Sequence, residues 1–162
     1  MLGETQLTWL KSELLSASSN HPLIFIGTAS TCHGSDSTLS EDWSRYTTER
    51  TEIANFIAEN NITGVCFLSG NGGILASHDG SRDESKPELN LPEFHVGPID
   101  LRHIKYQGTW TQVPVIPSDV GEFFGLIEVT DNVTSITVTF TGLNQYAQKQ
   151  LESTFTIPVS AL

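Results

Sequence analysis

Basic residues are scarce in this chain: 8 Lys and Arg stand against 19 Asp and Glu in 162 residues, a formal net charge of −11. Nucleic acid and anionic membrane surfaces are therefore not expected as partners, since both are held through basic patches. Cysteine is nearly absent. Cys32 and Cys66 form no CxxC spacing and no disulfide framework. No apolar run reaches the length of a membrane span. The opening Met1-Leu2-Gly3-Glu4 lacks the basic-then-apolar order of a signal peptide, so the cytoplasm is the default expectation. There is no Gly-x-Ser-x-Gly elbow and no Gly-Lys-Ser/Thr phosphate-loop ending.

What remains, 38% hydrophobic and 17% charged over 162 residues, is the composition of one ordinary soluble domain. Leu7, Leu10 and Leu14, widened by Trp9 and Leu15, give helical spacing over 4–17. Leu23-Ile24-Phe25-Ile26 reads as a strand buried on both faces. A long polar loop covers 29–46. A second helix near 47–60 has Thr47 or Thr48 as its N-cap, Glu49 and Glu52 in its first turn, and a buried stripe of Ile53, Phe56 and Ile57. Residues 64–69 form a strand that runs into the turn Gly70-Asn71-Gly72-Gly73. Strand, helix and strand in this order predict two parallel strands joined by a right-handed crossover.

Residues 78–93 read as a charged loop. Beyond it the period changes to two: Ile136, Val138 and Phe140 alternate with Thr137, Thr139 and Thr141, and Phe155, Ile157 and Val159 repeat the pattern. Phe123 to Val129 precedes them, and Asp131-Asn132 marks a hairpin turn. The expected class is α/β (α+β), one domain over 1–162, with an α/β part over 1–77 and a mainly antiparallel part over 78–162.

Seven stretches carry a family resemblance. They are Leu2 to Leu10, Asp42-Trp43-Ser44-Arg45-Tyr46 with Glu49-Arg50, Ile62 to Gly70, Phe94-His95-Val96-Gly97-Pro98, and Phe124 to Val129 with the terminal Ile157-Pro158-Val159. In this order they resemble the second half of PhoD-like alkaline phosphatases and phosphodiesterases, which are calcineurin-like metallophosphoesterases. The resemblance implies the C-terminal half of a β-sandwich flanked by helices. In that family the strand ends in Gly-Asp-x-His, whose aspartate and histidine belong to a metal site that hydrolyses phosphate esters. Here Gly70 matches the glycine, Asn71 stands at the aspartate and Gly73 at the histidine.

Hard cations want carboxylate oxygens, and imidazole suits transition metals. Asn71 offers one neutral carbonyl and Gly73 nothing, so no cofactor is expected in the isolated chain. Divalent or ferric ions would belong to a site completed by other residues. His78 and Asp79 are alternative ligands if their loop moves, though a solvated His-Asp pair is the plainer reading. Cys32, His33 and Asp36 read as a surface loop rather than a nucleophile cluster, Cys66 as core, and His95 and His103 as structural histidines. Gly70, Gly72 and Gly73 could cradle an anion through backbone N–H groups, or serve only a turn that needs positive φ. Trp43, Tyr46 and Trp110 could line a pocket or anchor loops.

A half sandwich would leave an apolar face or strand edge open. The resemblance therefore implies a homodimer, a separately encoded N-terminal half, or helices repacked over the gap.

Overall fold

The computed structural model describes residues 1–33, 42–71, 73–81, 90–97, 101–102, 110–113 and 120–159. In chain order the elements are α1 (Glu4–Ser18), β1 (Ile24–Thr28), a 3-10 turn (Trp43–Arg45), α2 (Thr47–Glu59), β2 (Val65–Ser69), β3 (Ala76–Asp79), β4 (Pro92–His95), β5 (Leu101–Arg102), β6 (Thr111–Gln112), β7 (Val120–Gly121), β8 (Phe123–Asp131), β9 (Ser135–Asn144) and β10 (Lys149–Pro158). Gly72, Asp36 and His103 lie outside the described residues.

β1 and β2 pair in parallel, Ile24 opposite Val65 and Thr28 opposite Ser69, with α2 as the crossover between them. α2 buries Ile53, Ala54 and Ile57, while Phe56 is only half-buried. Its N-cap position is Tyr46, not Thr47 or Thr48, and no side chain caps it. The 3-10 turn runs directly into the helix: Tyr46 N–H donates to Trp43 O and Arg50 N–H to Tyr46 O, both at 3.0 Å. The preceding turn therefore starts the helix without a threonine cap. At the other end the Asn60 side chain donates to Phe56 O at 2.8 Å, and Asn61 takes the left-handed conformation, φ 53°. This pair stops the helix as its residue types suggest.

Gly64 sits at the seam where β1 meets β2. Its carbonyl accepts Ile24 N–H at 2.9 Å, its φ is 71°, and a Cβ there would collide with the Pro22 carbonyl oxygen. Gly64→Ala should lower stability by about 2–3 kcal/mol, combining a left-handed backbone penalty with a clash that backbone must absorb. Urea unfolding of the variant beside the parent chain checks this; an unchanged midpoint would contradict it.

Two sequence expectations fail at the start of the chain. β1 is not buried on both faces: it is the edge strand of its sheet, and Phe25 is 37% exposed. In α1 only Leu14 is buried, and Trp9 and Leu15 are exposed. Both follow from the edge position, because α1 covers a sheet face that ends at β1. Leu14, Trp43, Ile53, Ile57, Ile62 and Val65 form the core on this helical side.

The larger sheet has the order β1-β2-β4-β3-β6. The stretch 78–93 is therefore not simply a loop, because β3 takes its first two residues and β4 its last two. β4 runs parallel to β2 and antiparallel to β3, so the second part of the chain is not uniformly antiparallel. A second, antiparallel sheet has the order β10-β9-β8, and β5 pairs with β7. β9 buries Ile136, Val138, Phe140 and Gly142 while Thr137, Thr139 and Thr141 lie half-buried opposite, the alternation its sequence shows. The sheets pack face to face through Cys66, Leu75, Phe94, Val138, Phe140 and Leu151. Phe94 and Phe140 stack with ring centroids 4.6 Å apart. The mixed α/β architecture expected from the sequence is the one found.

Candidate functional site

Side chains in a strand alternate between faces, and this rule assembles the site. In β4, Phe94 faces the second sheet, so Glu93 and His95 face the other way. The register sets Ser69 opposite His95 and His78 opposite Glu93, adding one polar side chain from β2 and one from β3 to the same face. The segment after β1 folds over this row and brings Thr31, Cys32 and His33; Trp110 closes it from the start of β6. Thr31, Cys32, His33, Ser69, His78, Glu93, His95 and Trp110 are all buried. This lies at the C-terminal ends of the parallel strands, where open α/β sheets place their chemistry.

Glu93 is the hub. Its Oε1 accepts Cys32 N–H at 3.0 Å and its Oε2 accepts His33 N–H at 2.9 Å. Ser69 Oγ bonds Oε1 and also lies 2.8 Å from His95 Nδ1. With the carboxylate ionised, the hydroxyl donates to Glu93 and His95 Nδ1–H donates to the hydroxyl. Complete burial pushes the Glu93 carboxyl up from its ordinary value, while the bonds from Ser69, His33, Cys32 and Thr31 pull it down, and burial wins.

The histidines are equally engaged. His33 Nε2–H donates to Leu91 O at 2.8 Å. Gly80 N–H donates to His78 Nδ1 at 3.1 Å, so that nitrogen is taken up as an acceptor. The two rings stack with centroids 3.8 Å apart, and Trp110 meets both edge-on at 5.7 and 5.6 Å. His95 meets the same indole at 6.3 Å.

The residues singled out in the sequence scatter around this cluster. Asn71 is exposed at the turn and supplies its positive φ, 59°, a role the sequence assigns to glycine. Gly70 precedes it half-buried, and Gly73 brings no side chain. His78 belongs to the buried row and is not solvated surface, because β3 pairs it into the sheet. Its neighbour Asp79 points outward and is held by Ser81, whose hydroxyl and N–H keep the carboxyl below its usual range. Cys32 and His33 are buried, not a surface loop, because their backbone is tied to Glu93. Trp43 is buried and its Nε1–H donates to Thr28 Oγ1 at 3.1 Å, whereas Tyr46 is exposed. Cys66 is fully buried in the core, where desolvation and the Glu93 charge push its thiol up.

Glu93 and Ser69 are the residues of this cluster that sequence reasoning misses. The signal was Glu93-Phe94-His95, a polar-apolar-polar alternation at the end of a stretch read as loop.

The metal ions that the family resemblance implies do not fit these residues. Asn71 is a neutral, exposed oxygen donor and Gly73 no donor at all. The Glu93 carboxylate is taken up by backbone and hydroxyl donors, and His78 Nδ1 by Gly80 N–H. Among the described residues no group of three or more His, Cys, Asp or Glu is arranged to hold a metal ion. Likewise among the described residues, no helix is long and apolar enough to cross a membrane.

No family model and no curated protein matches the chain. Among solved structures it is similar in fold to that of PhoD, with a TM-score of 0.54 over 96% of this chain at 13% identity. The chain spans 33% of the length of that protein. The likeness shows the fold: an α/β arrangement of the PhoD type.

Proposed function

We propose that this chain is a domain of metallophosphoesterase descent, corresponding to the C-terminal half of a PhoD-like catalytic domain, that has lost catalysis and serves as a binding or structural module. One observation carries the reading. At the strand ends of a PhoD-like fold, the carboxylate of Glu93 is spent on backbone N–H groups and a serine hydroxyl, and the positions matching the family's metal motif are Asn71 and Gly73. Phosphate-ester hydrolysis by a metal needs ligands open to a cation and a water it can activate. These side chains instead clamp the segment 31–33 to the sheet.

The test is metal analysis of the purified chain beside assays with p-nitrophenyl phosphate and bis(p-nitrophenyl) phosphate, with and without added Fe, Ca, Mn and Zn. The expected result is substoichiometric metal and hydrolysis no faster than metal-only blanks. A stoichiometric ion together with turnover would overturn the reading.

A second reading rests on the likeness of the seven sequence stretches to the second half of a PhoD-like catalytic domain. In it the chain is one part of a split enzyme whose partner brings the N-terminal metal ligands. Hydrolysis that appears only on mixing with that partner, and disappears when the partner's ligands are removed, would establish it.

A further inference from the structure

Among the described residues β1 pairs with β2 alone. Ile24 N–H donates to Gly64 O across that pairing, so the alternation of a parallel ladder turns the N–H and C=O groups of Phe25 and Gly27 toward the free edge. Natural edges are guarded by charge, proline or short length. Of the longer edge strands, β8 carries Glu128 and Asp131, and β10 carries Lys149, Glu152 and Pro158. β1, Ile-Phe-Ile-Gly-Thr, is shorter and carries neither charge nor proline. Phe25 is exposed, and a Cβ on Gly27 would meet nothing within 4 Å. A mainly apolar groove of about 320 Å³ opens alongside between α1 and β1, lined in part by the exposed Trp9.

We propose that this edge binds a second copy of the chain by antiparallel β1–β1 pairing, making one continuous sheet across a two-fold axis. The edge is self-complementary. With Ile26 on the axis, Phe25 of each copy faces Gly27 of the other, and every outward N–H and C=O of these two residues gains a partner. Phe25 and Gly27 are two apart and share a face, so each aromatic ring lies over the empty face of the other copy's glycine, a pairing known to rescue glycine in strands. An unrelated strand could use the hydrogen bonds, but it would not bring this aromatic-glycine match. The contact strand is uncharged while each chain carries −11, so added salt should tighten the pair by screening long-range repulsion. The inference does not depend on whether catalysis has been lost.

Sedimentation equilibrium tests it directly. The wild-type chain should run at twice its 17.7 kDa mass, more completely as salt is raised. Phe25→Lys should raise the dissociation constant roughly a hundredfold, the effect of removing a hot-spot side chain, and Phe25→Tyr should leave it within about tenfold. Circular dichroism checks that the variants fold. If Phe25→Lys does not fold, hydrogen exchange of the wild type decides, since the Phe25 and Gly27 amides should gain protection as protein concentration rises. A wild-type monomer at roughly 100 µM, far above a micromolar dissociation constant, overturns the proposal. So does a dimer indifferent to Phe25→Lys, or one whose Phe25 and Gly27 amides exchange at a concentration-independent rate. Protection of those amides only on adding a different polypeptide would likewise replace the second copy with a foreign strand.

Discussion

Glu93→Ala should destabilise the fold by about 3–5 kcal/mol, since each buried polar group left without a partner costs about 1–3 kcal/mol. The variant takes the carboxylate partner from Cys32 N–H and His33 N–H and leaves the Ser69 hydroxyl with His95 Nδ1 alone, all within the buried cluster. Relief from burying a charge returns part of that loss, which is why the sum is not larger. Glu93→Gln separates the terms. Backbone N–H groups approach both oxygens, so either orientation of the amide sets its NH2 against a donor; the expected cost is about 2 kcal/mol. Urea unfolding of the three proteins checks the order. A glutamine variant as stable as the wild type would mean that the two backbone bonds to the carboxyl oxygens add nothing to the clamp.

The pH dependence has a definite sign. Burial raises the Glu93 carboxyl in the folded chain above its unfolded value. A raised carboxyl contributes stability that is complete below the ordinary carboxylate range, near about pH 4, and is lost as pH rises through the folded value. The stability gap between wild type and Glu93→Ala should therefore be widest in acid and narrow toward neutrality. Asp79, whose carboxyl is lowered, works the opposite way but is present in both proteins and drops out of the comparison.

How much of this was legible in the sequence depends on the range over which each feature is decided. The β1-α2-β2 unit was legible because its signals are local: continuous apolar runs, helical spacing of Ile53 and Ile57, and a pair of asparagines at a helix end. β9 was legible from strict alternation. The burial of Cys32, His33 and His78 was not, because their neighbourhood comes from Glu93, 61 residues from Cys32, and from strand pairing that places β4 between β2 and β3. A polar residue next to glycines and serines looks solvated until its long-range partner is known. The same holds for the edge. An apolar run of four reads as a central strand, and it takes the sheet order to show that β1 has one neighbour among the described residues. That Asn71 and Gly73 bring a neutral amide and no side chain was legible, since residue type needs no tertiary context. The cluster built on Glu93 was not, because its members meet only through strand pairing.

Trp110→Ala should be the other severe lesion, costing about 3–5 kcal/mol as a large buried aromatic removed from a packed site. The indole is 8% exposed, packs with Ile74 and Ala76, and presents its edge or face to the rings of His33, His78 and His95. Its removal opens a cavity beside three imidazoles whose hydrogen bonds were formed without competing water. Stability alone would not distinguish the site from any other piece of core, so the informative readout is histidine chemistry. Modification by diethyl pyrocarbonate, slow at His33, His78 and His95 while they are buried, should accelerate in Trp110→Ala under conditions where the chain is still folded, and His21, outside the cluster, should be unchanged. Trp110→Phe keeps an aromatic wall and should lose less stability and retain most of the protection. If the three histidines react as slowly without the indole as with it, Trp110 is ordinary packing and the cluster is sealed by the sheet and the 31–33 segment alone.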